Sequence, residues 1–254
     1  MKLGISYNVF DGEELLEGSI RQIRDLVDYI SIVYQTKSNF GNKCTPNLVS
    51  LLEKLKDDGL VDELFEFKPM SNNGHGNEST KRNIGLSLSI KNGCSHHMSM
   101  DTDEYYDSNE FNYMKNTIIS GDYDSSACQM TTYYKEPIYR LEPKEEYYVS
   151  LIFKIRPGKQ YVGTNFPVLV DPTRRMVPGN CKIFTRDEIE MHHMSYVRKD
   201  IKLKLTNSSA SPNFKNIDKI VNYYNDWVYG KQALMGGSPD KFYDIIKVEN
   251  NFKL

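Results

Sequence analysis

The chain has few cysteines, no long apolar run and almost no net charge. No stretch approaches the ~18 apolar residues that a membrane-spanning helix needs, and the apolar segment 3–10 is broken by polar residues, so we expect no signal peptide and no transmembrane segment. The four cysteines lie far apart without a Cys-x-x-Cys motif: Cys44, Cys94, Cys128 and Cys181. This spacing disfavours a zinc knuckle or a disulfide framework and favours reduced thiols in a cytoplasmic protein.

The net charge is −2 over 254 residues, which gives no overall basic bias. A nucleic acid is therefore not expected as the main partner. Hydrophobic residues make up 39% and charged residues 26% of the chain, as in a globular protein with an ample core.

The first half of the sequence alternates predicted strands and helices. Strands are predicted over 2–10, 29–34, 61–67 and 94–100, with helical patterns between them. This order indicates an α/β, Rossmann-like fold with a mainly parallel sheet flanked by helices. Segments 126–134, 147–155 and 189–197 are β-like and predict a mixed or antiparallel extension. We expect one domain over 1–210 and a C-terminal helical appendage over 211–254, packed on it, with a helix over 211–227.

Two carboxylates, Asp101 and Asp103, follow the fourth predicted strand. Ligands of open parallel sheets bind at the carboxyl ends of strands, and Asp-x-Asp aims both acids at one point there. Mg²⁺ and Mn²⁺ prefer a few carboxylates together with phosphate oxygens. The motif alone is common, and the second pair, Asp122 and Asp124, is interpreted as a turn.

Two further motifs accompany the acidic one. Lys81-Arg82-Asn83-x-Gly-Leu begins before the fourth strand, and His193-x-Ser-Tyr-Val-Arg198 lies in a β-like run downstream. In this order the three motifs resemble those of GT-A-fold glycosyltransferases, specifically the small family-2-like enzymes of bacteria and large DNA viruses. The resemblance covers roughly residues 1–210.

The resemblance implies a divalent metal site and a nucleotide-sugar site. Mn²⁺ or Mg²⁺ would be held by Asp101, Asp103 and a histidine, for which His193 matches better than His192. Adjacent residues of a strand face opposite ways, so only one of the two rings is expected in the site. The nucleotide would be bound by residues from the ends of the first two strands and from the later motifs: Ser6, Tyr7, Asn8, Gln35, Thr36, Lys81, Asn83 and Arg198.

Some residues keep alternative interpretations. No carboxylate matches the catalytic base of the inverting enzymes securely, and the candidates are Glu104, Glu136, Glu146 and Asp187. Lys81 and Arg82 could instead form a solvated helix face, and the pair His96-His97 is interpreted as structural.

The expected function is metal-dependent transfer of a hexosyl or pentosyl group from a nucleotide-sugar, with a UDP-sugar favoured, to a glycan or another hydroxyl-bearing acceptor. One alternative is a nucleotidyltransferase that forms nucleotide-sugars. Such enzymes use a Gly-rich basic loop after the first strand, whereas residues 10–14 here are Phe-Asp-Gly-Glu-Glu. The other alternative is a non-catalytic nucleotide- or carbohydrate-binding module.

Overall fold

A computed structural model of the chain describes residues 1–71, 73–237, 239–252 and 254. The first half contains β1 (Leu3–Val9), α1 (Glu13–Ile23), β2 (Tyr29–Tyr34), α2 (Leu48–Asp57), β3 (Glu63–Glu66), α3 (Gly74–Lys91), β4 (His96–Asp101), β5 (Glu104–Tyr105) and α4 (Ser108–Ser120). The second half contains β6 (Ser125–Tyr134), β7 (Glu136–Glu142), β8 (Tyr148–Ser150), β9 (Phe153–Lys154), β10 (Cys181–Ile183), β11 (Met191–Tyr196), α5 (Ile201–Asn207), α6 (Ile217–Asn225), β12 (Ala233–Met235) and β13 (Lys241–Lys247).

The first sheet has the strand order β3-β2-β1-β4-β9. Its first four strands are parallel, and the short β9 pairs antiparallel with β4. All seven residues of β1 are buried, because helices cover both faces of the strand. The predicted α/β fold with a mainly parallel sheet is confirmed.

Helices attach to this sheet through apolar stripes at helical spacing. The stripes of α1 and α2 join the side chains of β1, β2 and β4 in one core cluster; they consist of Leu16, Ile20, Ile23, Leu48, Leu52 and Leu55. Asn73 caps α3 by accepting a hydrogen bond from the backbone N–H of Gly76, so this helix begins at Gly74.

The second sheet forms the predicted mixed extension. Its strand order is β12-β13-β7-β6-β11-β5, and β8 and β10 also pair with β6. The strand β11 runs parallel to β6 and antiparallel to β5, which places His193 opposite Glu104. This long-range pairing brings the late histidine motif to the end of β4, where the acidic motif lies.

The segment after residue 210 differs from the predicted helical appendage. The predicted helix over 211–227 is divided into a 3₁₀ turn, Ser211–Asn213, and α6, because Asn216 caps a new helix through the N–H of Lys219. Two strands follow, and β13 pairs antiparallel with β7 of the second sheet. The prediction missed them because β13, which also pairs with β12, joins the sheet through β7, about a hundred residues earlier in the chain. The division at residue 210 stays a prediction.

The helices among the described residues include none that is both long and apolar enough to cross a lipid bilayer.

His97 lies in the core of the first sheet and gives a pH-dependent stability. Its Nδ1 contacts Ser89 Oγ at 2.8 Å, and burial together with nearby Arg82 lowers its pKa to about 3. Below pH 6.5 the unfolded chain therefore binds a proton that the folded chain refuses, so the free energy of unfolding should fall by about 1–2 kcal/mol between pH 6.5 and 5. Urea denaturation at several pH values measures this loss.

The variant His97→Gln removes the titrating ring, and the loss of stability between these pH values should become smaller. The matched control, His75→Gln, changes an exposed histidine and should retain the wild-type pH dependence. Equal pH dependence in wild type and His97→Gln would contradict this assignment.

Candidate active site

The acidic motif lies at the carboxyl ends of the central strands. Asn8 of β1 pairs with Asp101 of β4, and Asp103 is in the turn that follows. The hydroxyl of Thr102 donates to the carbonyl of Asp11 at 3.2 Å, so the residue between the two acids is turned away from them. The location agrees with the rule that ligands bind where parallel strands end.

A cavity of about 140 Å³, here called the polar cavity, opens at this edge. Nearly all of its lining is polar or charged. It is lined by Asn8, Phe10, Asp11, Glu78, Lys81, Arg82, Asp101, Thr102, Asp103, Asp171, His193, Arg198, Lys204, Asn207, Ser208 and Ser209. Four cationic side chains and five carboxyl groups are in this set, so the cavity holds charges of both signs.

Asp103 is the most strongly paired acid of the site. It is 2% exposed, and its Oδ2 accepts hydrogen bonds from Arg198 Nη2 at 2.5 Å and Lys204 Nζ at 2.8 Å. Its Oδ1 faces His193 Nε2 at 3.8 Å. Burial alone would raise the pKa of Asp103, but Lys204, Arg198 and His193 hold it well below its usual range. The carboxylate is therefore ionised at neutral pH.

Asp101 is held by two arginines. Arg174 Nη2 lies 2.6 Å from Oδ2, and Arg82 Nη2 lies 3.3 Å from both carboxylate oxygens. Burial opposes ionisation, yet these guanidinium groups lower the pKa of Asp101 below its usual range. Arg82 is 1% and Lys81 3% exposed, so the alternative of a solvated helix face is wrong for this pair.

Glu104 lies behind Asp101 and shares its arginine. Arg174 Nη2 donates to Glu104 Oε1 as well as to Asp101, and both Glu104 and Arg174 are buried. Burial raises the pKa of Glu104 to about 7, against the lowering effect of Arg174. The pairing of β5 with β11 fixes Glu104 in this position.

The two adjacent histidines of β11 point to different surroundings. His193 lines the polar cavity beside Asp103, and burial lowers its pKa, which keeps the imidazole neutral at pH 7. His192 contacts Tyr133 Oη at 2.8 Å and packs against the ring of Phe252. The two rings thus face opposite ways, as expected for adjacent residues of a strand, and His193 is the one that faces the acids.

Asp103 and His193 fit a divalent cation as partners. Bonds of about 2.1 Å place two ligands of one ion about 3 to 4 Å apart, and Asp103 Oδ1 and His193 Nε2 are separated by 3.8 Å. An ionised carboxylate and a neutral imidazole are the protonation states that metal binding needs. The described residues contain no group of three or more His, Cys, Asp or Glu side chains arranged around one ion.

We predict that His193→Ala removes the Mn²⁺ dependence of nucleotide binding, because it deletes one of these two atoms. The control His192→Leu should keep that dependence and lose stability instead, since it breaks the contact with Tyr133. Calorimetric titration with UDP, with and without Mn²⁺, separates the two. The opposite pattern would show that the wrong ring has been assigned.

The structure brings only some of the predicted nucleotide-binding residues to the polar cavity. Asn8, Lys81 and Arg198 line it. Among the described residues, neither amide atom of Asn8 has a hydrogen-bond partner. Lys81 Nζ pairs with Glu78 at 2.9 Å on the same wall. These side chains are placed to contact a polar ligand.

The other five predicted residues lie outside the lining of the polar cavity, and their side chains have protein contacts. Gln35 and Thr36, at the end of β2, donate to Lys37 and Glu66, and Ser6 is buried beneath α3. Tyr7 contacts Ser19, and Asn83 exchanges two hydrogen bonds with the backbone of Tyr161.

Three of the four candidate bases are remote from the acidic motif. Glu136, Glu146 and Asp187 are exposed and line neither the polar cavity nor the cavity described next, whereas Glu104 is in the site. Glu145, the neighbour of Glu146, faces the site instead. Choosing between adjacent residues needs the course of the 143–147 loop, which no sequence pattern specifies.

A second cavity of about 290 Å³ adjoins the polar cavity and is here called the methionine-lined cavity. The two share Asp101, Asp171 and His193. Its remaining lining is Glu104, Met130, Thr132, Glu145, Tyr147, Tyr148, Val149, Arg174, Met191, Ser195 and Met235. A compact polar site and a larger, partly apolar one therefore meet at the acidic motif.

The residues that the sequence did not reveal are Arg174 and Lys204. Arg174 ends a 3₁₀ turn in the loop before β10, and Lys204 lies on α5. Neither stands in a recognisable motif. Both reach the acids only through the tertiary fold, so a pattern in the sequence could not identify them.

One glycine makes room for Arg198. Gly12, which precedes α1, has φ +76°, and a Cβ atom on it would lie 1.9 Å from Arg198 Nη1. Only glycine fits both this backbone conformation and this close approach. The acidic loop after β1 thereby packs directly against the guanidinium that holds Asp103.

Comparisons with known proteins give distant structural similarities. No protein-family model matches the chain, and no curated protein matches it. The S. aureus TarS segment 1–349 is similar at 10% identity over 82% of this chain and 66% of that one, with a TM-score of 0.49. The same segment in complex with UDP-GlcNAc is similar at 16% identity over 52% and 35%, with a TM-score of 0.38.

GalNAc-T7 with UDP, GalNAc and Mn²⁺ is similar at 10% identity over 91% of this chain and 52% of that one, with a TM-score of 0.45. The chain thus spans about a third to two thirds of the length of the chains it matches. Because every one of these scores is below 0.5, the function has to be argued from the residues of the site.

Proposed function

We propose that the chain is a metal-dependent glycosyltransferase that moves a sugar from a nucleotide-sugar, with a UDP-sugar favoured, to a hydroxyl acceptor. The observation that carries this proposal is the convergence of Asp103, His193 and several cations in one polar cavity at the strand ends. Such a set matches a diphosphate, which needs both a cation to bridge its oxygens and positive side chains around it.

The diphosphate would occupy the polar cavity. Arg198 and Lys204 converge there on Asp103, and Lys81 also lines the cavity. Arg198 Nη1 is buried and has no hydrogen-bond partner among the described residues, so it has a donor to offer a phosphate oxygen. Asn8, at the end of β1, would contact the nucleoside or the adjoining phosphate.

Asp103 and His193 would hold Mn²⁺ or Mg²⁺, with the remaining positions taken by phosphate oxygens. Asp101 is the third proposed ligand, and it would share its carboxylate between the ion and the guanidinium groups of Arg174 and Arg82. A bound divalent ion acts as a Lewis acid that stabilises the leaving diphosphate. The cationic side chains would add to that stabilisation. The fold already holds them in position, so they need no rearrangement during the reaction.

Calorimetric titration of the chain with UDP tests this proposal. We expect UDP to bind with Mn²⁺ present and to bind at least about tenfold more weakly with the ion removed by a chelator, a difference of about 1.4 kcal/mol. GDP and TDP serve as comparisons for the base. Absence of binding by all three diphosphates in the presence of Mn²⁺ would contradict the proposed function.

A further inference from the structure

Two buried polar side chains of the methionine-lined cavity each have one atom without a hydrogen-bond partner among the described residues. These atoms are Arg174 Nη1 and Glu104 Oε2, although Arg174 Nη2 donates to Glu104 Oε1. Both residues line the cavity and are almost completely buried. A buried donor and a buried acceptor side by side are suited to a ligand that offers both kinds of group.

The rest of this cavity is partly apolar. Met130, Met191 and Met235 contribute flexible thioether side chains, and Tyr147 adds an aromatic ring. Its volume of about 290 Å³ is near the lower limit, about 300 Å³, of small-molecule sites. A sugar ring has apolar C–H faces and hydroxyl groups at its edge. The faces can pack against the methionine and tyrosine side chains, and the hydroxyls can form hydrogen bonds with Glu104 and Arg174.

The charge of the cavity narrows the kind of sugar. Four carboxyl groups line it, those of Asp101, Glu104, Glu145 and Asp171, against one guanidinium group, that of Arg174. Arg174 pairs with Asp101 and Glu104, whereas Glu145 and Asp171 form no ion pair among the described residues. A ligand carboxylate would therefore lie beside uncompensated carboxyl groups, which disfavours binding. Neutral hydroxyls avoid this repulsion and can donate hydrogen bonds to carboxylate oxygens.

We propose that the methionine-lined cavity binds the sugar of the donor, that Glu104 and Arg174 recognise two of its hydroxyls, and that the cavity selects neutral sugars over uronic acids. This inference rests on the proposed function, because it takes the diphosphate to occupy the polar cavity. Asp101 and His193, which line both cavities, would then lie beside the bond between sugar and phosphate.

The test compares donors that differ only in a carboxylate. UDP-glucose and UDP-galactose are titrated against UDP-glucuronate and UDP-galacturonate with Mn²⁺ present, and UDP alone is the reference. At least one neutral donor should bind about tenfold or more tightly than its acidic counterpart. In Glu104→Gln this ratio should fall severalfold, because the variant removes one of the carboxyl groups that repel an acidic donor.

The matched control is Glu53→Gln, an exposed position on α2, which should keep the wild-type ratio. Equal affinities of the wild type for both members of each donor pair, with UDP still bound, would overturn this inference and leave the proposed function standing. Failure of UDP itself to bind would contradict the proposed function, and the inference would fall with it. The ratio in the wild type decides the question even where the Glu104 variant does not fold.

Discussion

Replacement of Asp103 by asparagine should abolish the Mn²⁺ dependence of UDP binding and lower sugar transfer by about 10³-fold or more. Asparagine keeps the shape of the side chain but removes the charge that a cation needs. A loss of a few kcal/mol of transition-state stabilisation gives this decrease, since each 1.4 kcal/mol is a factor of ten. Titration with UDP and assays of transfer, each with and without Mn²⁺, measure both effects.

Asp103→Asn has a second expected consequence, which distinguishes the loss of the negative charge from misfolding of the variant. Without the carboxylate, Arg198 and Lys204 are no longer neutralised, so UDP binding in the absence of metal should stay the same or become tighter. The matched control is Asp122→Asn in the other Asp-x-Asp pair, whose exposed side chain pairs with Lys154. Full retention of the Mn²⁺ dependence in Asp103→Asn would refute the assignment of this residue.

Replacement of Arg174 by methionine should destabilise the fold by about 3–5 kcal/mol, the usual cost of breaking a buried ion pair from one side. The variant leaves Glu104 buried without its counter-charge, while Asp101 keeps Arg82. Chemical denaturation measures the change in the free energy of unfolding. The control is Arg156→Met, which removes a surface pair with Asp124 and should cost no more than about 1 kcal/mol.

The pH dependence of this effect has a definite sign. Loss of Arg174 removes a lowering influence on the pKa of Glu104, so this pKa rises further above its value in the unfolded chain. The folded variant then holds a proton that the unfolded chain has released, and its stability declines as the pH rises. Arg174→Met should therefore be less destabilising at pH 5 than at pH 8, and adding Glu104→Gln should recover much of the loss. A deficit that is independent of pH and unchanged in the double variant would rule out this explanation.

Local patterns in the sequence predict the four parallel strands of the first sheet, helped by the apolar stripes of the intervening helices α1 and α2. The segments 2–10 and 29–34 are mainly apolar, and they become β1 and β2, with a shift of one residue at each end of the first. The short strands of the second sheet carry no such signal. β5 has two residues and exists only because β11, about ninety residues later, pairs with it.

Local patterns in the sequence also predict only part of the site. Asp101 and Asp103 could be proposed because they follow the end of a predicted strand, and His193 because the resemblance to GT-A-fold glycosyltransferases implies a histidine at that position. The counter-charges could not, since Arg174 and Lys204 come from a loop and a short helix whose positions depend on the whole fold. The acidic motif therefore suggested an open metal site, whereas the structure shows carboxylates embedded in arginine and lysine side chains.

The central claim is the transfer of a sugar with cleavage at its bond to the diphosphate, and the product released from a donor tests it most directly. The purified chain is incubated with Mn²⁺ and a panel of UDP-, GDP- and TDP-sugars without acceptor, where water can replace the hydroxyl substrate. We expect slow release of the nucleoside diphosphate from at least one donor, and its loss in Asp103→Asn and His193→Ala. Pyrophosphate formed from a nucleoside triphosphate and a sugar phosphate, with no diphosphate released from any donor, would contradict the account.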